Sequence, residues 1–192
     1  MADTDFSHQP ESLRTKLVLD AQVWNVAWSR AASYPRLLRL MLIEPGFQIV
    51  LVIRLQEILS RVPVVGRVLR RIAWYLVDII FGCYIDPGAE IGGGIYMPHP
   101  IGIVIGNEVI LGSNVSVLHG VTLGRRGTST TVGPRVGDNV EINAGAVLLG
   151  PISVGTGAII GANAVVIDDV PPGRIAVGIP ARLLPRKYIE ID

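Results

Sequence analysis

From residue 85 onward the chain places an aliphatic residue every sixth position. Ile85, Ile91, Met97 and Ile103 carry the first run. After a two-residue slip the step resumes at Ile105, Leu111, Val117 and Leu123, and again at Val136, Ile142, Leu148, Val154, Ile160 and Val166. A second apolar phase lies four residues after each of the later rungs except Leu123, at Val109, Val115, Val121, Val140, Ala146, Ile152, Ala158, Ala164 and Val170. A helix repeats its faces about every 3.6 residues and a strand every 2, so a period of six belongs to neither alone. It predicts a coil with flat sides, one short strand per hexapeptide, in which each aliphatic residue points inward and stacks on its counterpart one coil away. Gly and Asn fill the corners, where the backbone needs positive φ. Twelve residues, GRRGTSTTVGPR, separate Leu123 from Val136. A coil cannot hold them, so residues 124–135 are expected to project as a loop, and a long excursion from a regular solenoid is usually functional.

The first part of the chain follows a different rule. Apolar residues recur there at helical spacing, as in Leu37, Leu38, Met41 and Leu42 or Leu51, Leu55, Ile58 and Leu59, with Pro35, Pro45 and Pro63 as punctuation. Three or four helices are expected over residues 13–82. Residues 1–12 read as a polar flexible N-terminus, 83–184 as the coil and 185–192 as a C-terminal tail.

Composition narrows the function. Lys plus Arg number 17 against 16 Asp plus Glu, a near-neutral balance that, with no recognisable binding motif, argues against a nucleic-acid partner. Hydrophobic residues make up 49% and charged residues 17%, which suggests burial against other subunits or a face touching lipid. The N-terminal stretch lacks the basic and apolar regions of a signal peptide, and no apolar run reaches the roughly 18 residues of a membrane span. The single cysteine, Cys83, fits a reducing compartment and reads as a packing residue. A cytoplasmic protein is expected. Arg36, Arg39, Arg54, Arg61, Arg67, Arg70 and Arg71 face only Glu44 and Glu57 between residues 36 and 71. The helices therefore carry a second option, peripheral contact with the inner face of a membrane.

Two histidines lie in the repeats. His99 is third in the hexad of Met97 and His119 third in that of Val117, 20 residues apart. One coil is three hexads and the slip adds two residues, so both should share one edge of the prism, one above the other. Imidazole suits a general base that takes a proton from a hydroxyl or amine. Two imidazoles also suit zinc, but no third ligand occurs at matching phase, and no metal is expected.

The repeats, the His99 segment GGGIYMPHPIGIVIG, the stretch LHGVTLGRRG and the ending GIPARLL resemble the serine acetyltransferase family over residues 46–184. The resemblance implies a left-handed parallel β-helix preceded by a small α-helical region. It implies a homotrimer, with pairing of trimers left open, and acetyl-CoA as co-substrate between neighbouring β-helices. His99 matches the family's catalytic base, and His119 is its companion candidate. Gly124, Ala144 and Ala162 match cofactor-contacting positions, Pro180, Ala181 and Arg182 close the fold near the adenine and phosphate end, and Arg125, Arg126 and Lys187 are candidate phosphate partners. The chain also departs from the pattern. Pro98 and Tyr84 stand where the family carries Asp, Val132-Gly133-Pro134 stands where the loop ends in Arg-His-Pro, and no match occurs for the substrate-binding Asp of the helical domain. A serine carboxylate without its cation should lose a few kcal/mol. The closer likeness is therefore expected to be the colanic acid and exopolysaccharide acetyltransferases, through Phe81-Gly82 and the run from His119 to Gly127. Three readings follow: an O-acetyltransferase acting on a sugar hydroxyl of an exopolysaccharide or its precursor, a serine O-acetyltransferase of cysteine biosynthesis, and an inactive β-helix scaffold.

Overall fold

The computed structural model describes residues 11–26, 34–127 and 131–185, with backbone alone for 25–26 and 34–37. Four helices come first: α1 (Leu13–Val26), α2 (Tyr34–Ile43), α3 (Pro45–Leu59) and α4 (Val65–Phe81). Ser12 caps α1 by accepting the Thr15 N–H at 3.1 Å. Pro45 opens α3, where its missing N–H costs nothing. Gly82 closes α4 in the left-handed conformation, φ 63°, its N–H bonded to the Asp78 carbonyl.

From Tyr84 the chain forms three sheets of two- and three-residue strands, most of them pairing with the strand three along the sequence. One sheet holds Tyr84–Ile85, Val104–Ile105, Thr122–Gly124, Val147–Leu149 and Val165–Val166. A second holds Glu90–Ile91, Ile110–Leu111, Arg135–Val136 and Ser153–Val154. The third holds Ser116–Val117, Glu141–Ile142, Ile159–Ile160 and Ile175–Val177, and Arg182–Leu184 closes its edge antiparallel. All the other pairings are parallel, which is how a three-sided coil stacks on itself. Both sequence phases are buried throughout, from Ile85 to Val166 and from Val109 to Val170, and they form one continuous core. The two-residue slip is visible as a change of register. Tyr96 pairs with Ser116 at an offset of 20, but Val104 pairs with Thr122 at 18.

The helical cap is built otherwise. The stripes that mark its helices in the sequence are largely exposed: Leu38, Met41, Leu42, Leu55 and Ile58 all face outward. The buried face of α3 is instead Gly46, Phe47, Ile49, Val50, Ile53, Arg54 and Gln56. This face lies on the first coil. Gly46 is fixed by proximity, because a Cβ there would run into the Met97 carbonyl and the Trp24 ring. Trp24 of α1 donates its indole N–H to the Ile95 carbonyl at 3.1 Å and meets Phe47 and Tyr96 edge-on.

Arg54 anchors this junction. It is 2% exposed, so it does not belong to the basic surface expected from the sequence. Its Nε donates to Asp20 Oδ2 at 2.8 Å and its Nη2 to Oδ1 at 3.1 Å. Nη1 reaches Glu57 at 2.6 Å, and the two Nη groups also bond the carbonyls of Ile91 and Gly92. Asp20 in turn accepts the N–H groups of Gly94 and Ile95. Burial alone would lower the Arg54 pKa, but the Asp20 hydrogen bonds and the charges of Asp20 and Glu57 outweigh it and raise the pKa. α4 carries the other exposed apolar set, including Val65, Val68, Leu69, Ile72, Leu76 and Ile79. No described helix is long and apolar enough to cross a membrane.

Candidate active site

His99 sits where cap and coil meet. It lines a cleft of about 710 Å³ together with Glu44 and Pro45 at the start of α3, Ile80 and Phe81 at the end of α4, and Tyr96, Pro98, Pro100 and Ile101 of the first coil. Residues 98–101, where the slip falls, form its coil side. The Ile101 N–H turns back to the His99 carbonyl at 2.9 Å, and Gly102 N–H bonds the Gly82 carbonyl. Cys83 lies beneath, fully buried, its thiol donating to the Pro100 carbonyl at 2.9 Å. Burial pushes that thiol's pKa up, which suits a packing residue rather than a nucleophile. Tyr96 is also pushed up, first by burial and then by the negative charge of Glu44. The imidazole of His99 is exposed, so a substrate can reach it without displacing protein.

His119 lies on the same edge, and the backbone register shows how the two relate. On the Tyr96 side the offset of 20 sets His99 opposite His119. On the other side Gly120 N–H bonds the Ile101 carbonyl, so Ile101 is the residue stacked on His119. The slip thus sets His99 aside from the column, into the cleft. His119 is exposed and lies outside that cleft. Above His119 the same column continues: Gly145 N–H bonds the His119 carbonyl, and Asn163 N–H bonds the Ala144 carbonyl. Ile101, His119, Ala144 and Ala162 therefore occupy equivalent corner positions in successive coils.

The remaining candidates are scattered over the upper coils. Gly124 ends its strand with open space where a side chain would be. Arg125 pairs with Glu108 at 3.1 Å, which holds the base of the excursion against the coil, and Arg126 lies over Gly150. Gly133 and Pro134 re-enter the coil buried, where a Cβ on Gly133 would meet Glu108. Pro180 is exposed, Ala181 N–H bonds the Val165 carbonyl, and Arg182 starts the closing strand. Lys187 and residues 128–130 lie outside the described residues. Among the described residues no group of His, Cys, Asp and Glu side chains is placed to hold a metal ion.

Glu44 and Asp20 escaped the sequence reading. In the sequence Glu44 is only a counter-charge to arginines; in the structure it stands just before Pro45 and lines the cleft. Asp20 carried no periodic or motif signal at all.

Residues 133–168 match the family model described as bacterial transferase hexapeptide (six repeats). The chain is 45% identical over 123 residues to a serine acetyltransferase of Mycobacterium tuberculosis, covering 62% of this chain and 52% of that protein. It is 40% identical over 149 residues to a serine acetyltransferase of Helicobacter pylori, covering 75% of this chain and 84% of that one. Among solved structures, soybean serine acetyltransferase complexed with serine superposes with a TM-score of 0.79 at 39% identity, covering 93% of this chain and 72% of that chain. The chain thus spans about half the length of the mycobacterial protein and most of the Helicobacter one. These matches correct the expectation of a closer likeness to colanic acid and exopolysaccharide acetyltransferases, and with it the sugar acceptor: the relatives bear the name serine acetyltransferase.

Proposed function

The chain belongs to the serine acetyltransferase family, and from that premise we propose that it transfers acetyl from acetyl-CoA to the hydroxyl of L-serine. The observation that carries this reading is the exposed His99 at the mouth of the cleft, in a chain whose relatives are named for that reaction. His99 takes the proton from the seryl hydroxyl as its oxygen attacks the thioester carbonyl. The tetrahedral intermediate collapses with loss of the thiolate of coenzyme A, and the imidazolium returns the proton to that sulfur. Substrates that fill the cleft between its apolar walls displace water, which would otherwise compete for the acetyl group. His119, Gly124, Ala144 and Ala162 border the course proposed for the pantetheine arm, and Arg126 and Arg182 its phosphates, with Lys187, outside the described residues, as a further candidate cation. Arg125 can join them only by leaving Glu108.

We read the coil as left-handed, as in the family it resembles. We also read the working unit as a homotrimer, since the exposed aliphatic faces of α2, α3 and α4 need partners.

Thiol release from acetyl-CoA, followed with and without L-serine, tests the reaction. Serine-dependent release with O-acetyl-L-serine as product is expected. Acetyl-CoA binding without any serine-dependent release would sink it.

A further inference from the structure

Beyond the acetyl transfer, we infer that the groove between the first half of α4 and the coil corner at Asp86 is a binding site for a small tetrahedral oxyanion, sulfate or a phosphate group. Arg67, Arg70, Arg71 and Trp74 of α4 line it together with Tyr84 and Asp86 of the first coil, around a volume of about 280 Å³. It shares no lining residue with the His99 cleft. Three arginines stand there against one carboxylate, and none of the three enters an ion pair among the described residues. Asp86 serves its own corner instead, where Oδ1 accepts the Gly88 N–H at 2.8 Å. Arg70 donates from Nη2 to the Pro87 carbonyl at 2.6 Å. Arg71 lies over the Trp74 ring, 4.6 Å from its centroid, and Trp74 meets Tyr84 edge-on.

Two donors in these walls lack acceptors. The Nε–H of Arg70 and the indole N–H of Trp74 are buried and bond nothing among the described residues. A buried donor without an acceptor is costly, and folded proteins leave few of them. Guanidinium and indole groups only donate, so the ligand that completes the groove is rich in acceptors and negatively charged. A sulfate or phosphate dianion offers several oxygens at once, and its charge balances the excess of the three arginines over Asp86. A carboxylate brings two oxygens and a single charge to the same groups. Arg71 is held on Trp74 by cation–π attraction, so it can turn to an anion without giving up an ion pair. The starved donors lie in the wall of a narrow groove, out of reach of a flat bilayer surface, which favours a free anion over a lipid headgroup.

Calorimetric titration of the full chain with sodium sulfate, inorganic phosphate and sodium acetate, at ionic strength held level with sodium chloride, tests the site. Saturable binding of sulfate and phosphate is expected, with acetate about tenfold weaker or more, the scale of a lost charge-assisted hydrogen bond. Arg70→Gln should weaken sulfate binding by about 10- to 100-fold. Trp74→Phe keeps an aromatic ring and removes the N–H, and should weaken it by about tenfold. Arg182→Gln, at the phosphate end proposed for acetyl-CoA, should leave sulfate binding within about twofold, which separates the groove from that site. If circular dichroism shows that Arg70→Gln does not fold, Trp74→Phe and the exposed Arg71→Gln carry the test. The absence of saturable binding, acetate held as tightly as sulfate, or binding lost in Arg182→Gln and kept in Trp74→Phe overturns the assignment. So does capture by phosphatidylglycerol vesicles through Arg70 and Trp74 when neither free anion binds, which would give the groove to a lipid. Thiol release with L-serine reads the acetyl transfer separately, and none of these outcomes bears on it.

Discussion

The coil and the cap solve burial in different ways. In the coil every sixth residue points inward, and each rung leans on two near-identical neighbours. In the cap the regular apolar stripes face outward; Ile49, Val50, Ile53 and Val77 join the coil's core, and the rest of the contact is made by single, unrepeated groups: Gly46 against Met97, Trp24 against Ile95, and the Asp20–Arg54–Glu57 cluster. Redundancy makes the coil tolerant of damage at any one level. The cap has no such margin, and the cleft with His99 and Glu44 lies along the border between them. A site on a seam depends on both halves being held in register, which a purely repetitive scaffold does not supply.

The sharpest way to break this comparison is at the chemistry itself. His99→Ala should lower kcat by about 10²- to 10⁴-fold, as for loss of a general base. The melting temperature should stay within a degree or two, since the imidazole is exposed, a surface change worth about 0.5 kcal/mol or less. Steady-state kinetics beside a thermal melt decide it, and activity near wild type would transfer the role to His119.

Next in size is the junction. Asp20→Ala leaves the buried Arg54 guanidinium with Glu57 as its one carboxylate and strips the Gly94 and Ile95 N–H groups of their acceptor. Removing one partner of a buried pair costs about 3–5 kcal/mol. Hydrogen exchange should show it as faster opening of α1 and α3 with the upper coils still protected. Uniform opening of the whole chain would show that cap and coil form one cooperative unit and that the contrast drawn above is false.

Much of the coil was legible because a period of six, held in two phases, reports the same geometry many times over. Its edge was legible too: the spacing of His99 and His119 placed both on one corner. The slip was visible in the sequence, but not which of its two sides would set the stacking, so Ile101 rather than His99 sits on His119. The cap was legible only as helices. Leu51, Leu55, Ile58 and Leu59 gave the helical period, yet the docked face runs through Phe47, Val50 and Arg54. An arginine in line with those residues, inside FQIVLVIRLQ, was the available signal that this face is the buried one. Its partner Asp20 lies 34 residues away and no local pattern ties the two. Glu44 needed the fold for the same reason, since nothing in the sequence sets α3's first turn beside the Met97 hexad.

Within the coil the expected effects are smaller and local. Leu148→Ala removes a fully buried rung between Leu123 and Val166 and should cost about 2–5 kcal/mol, less if the coils above and below settle into the gap. Urea unfolding gives the number. A cost equal to that of Asp20→Ala, with the same loss of cap protection, would deny that damage stays local in the repeats.

The smallest effect tests the corner rule itself. At the edge that carries His119, Gly102, Gly120 and Gly145 adopt φ of 67°, 69° and 70°, and the next coil places Asn163 there at 56°. Its side-chain oxygen lies in the space a Cβ on Gly145 would need, so glycine below and asparagine above fit as a pair. An L-residue with a Cβ in this region costs about 1–2 kcal/mol, and asparagine offsets part of that through local hydrogen bonding. Asn163→Ala should therefore destabilise by about 1 kcal/mol, whereas Asn163→Gly should be near neutral because glycine adopts this φ freely. If alanine proved as good as glycine, positive φ would not be what selects the corner residue. The column from Ile101 through His119 and Ala144 to Ala162 would then owe its alignment to the inward rungs alone.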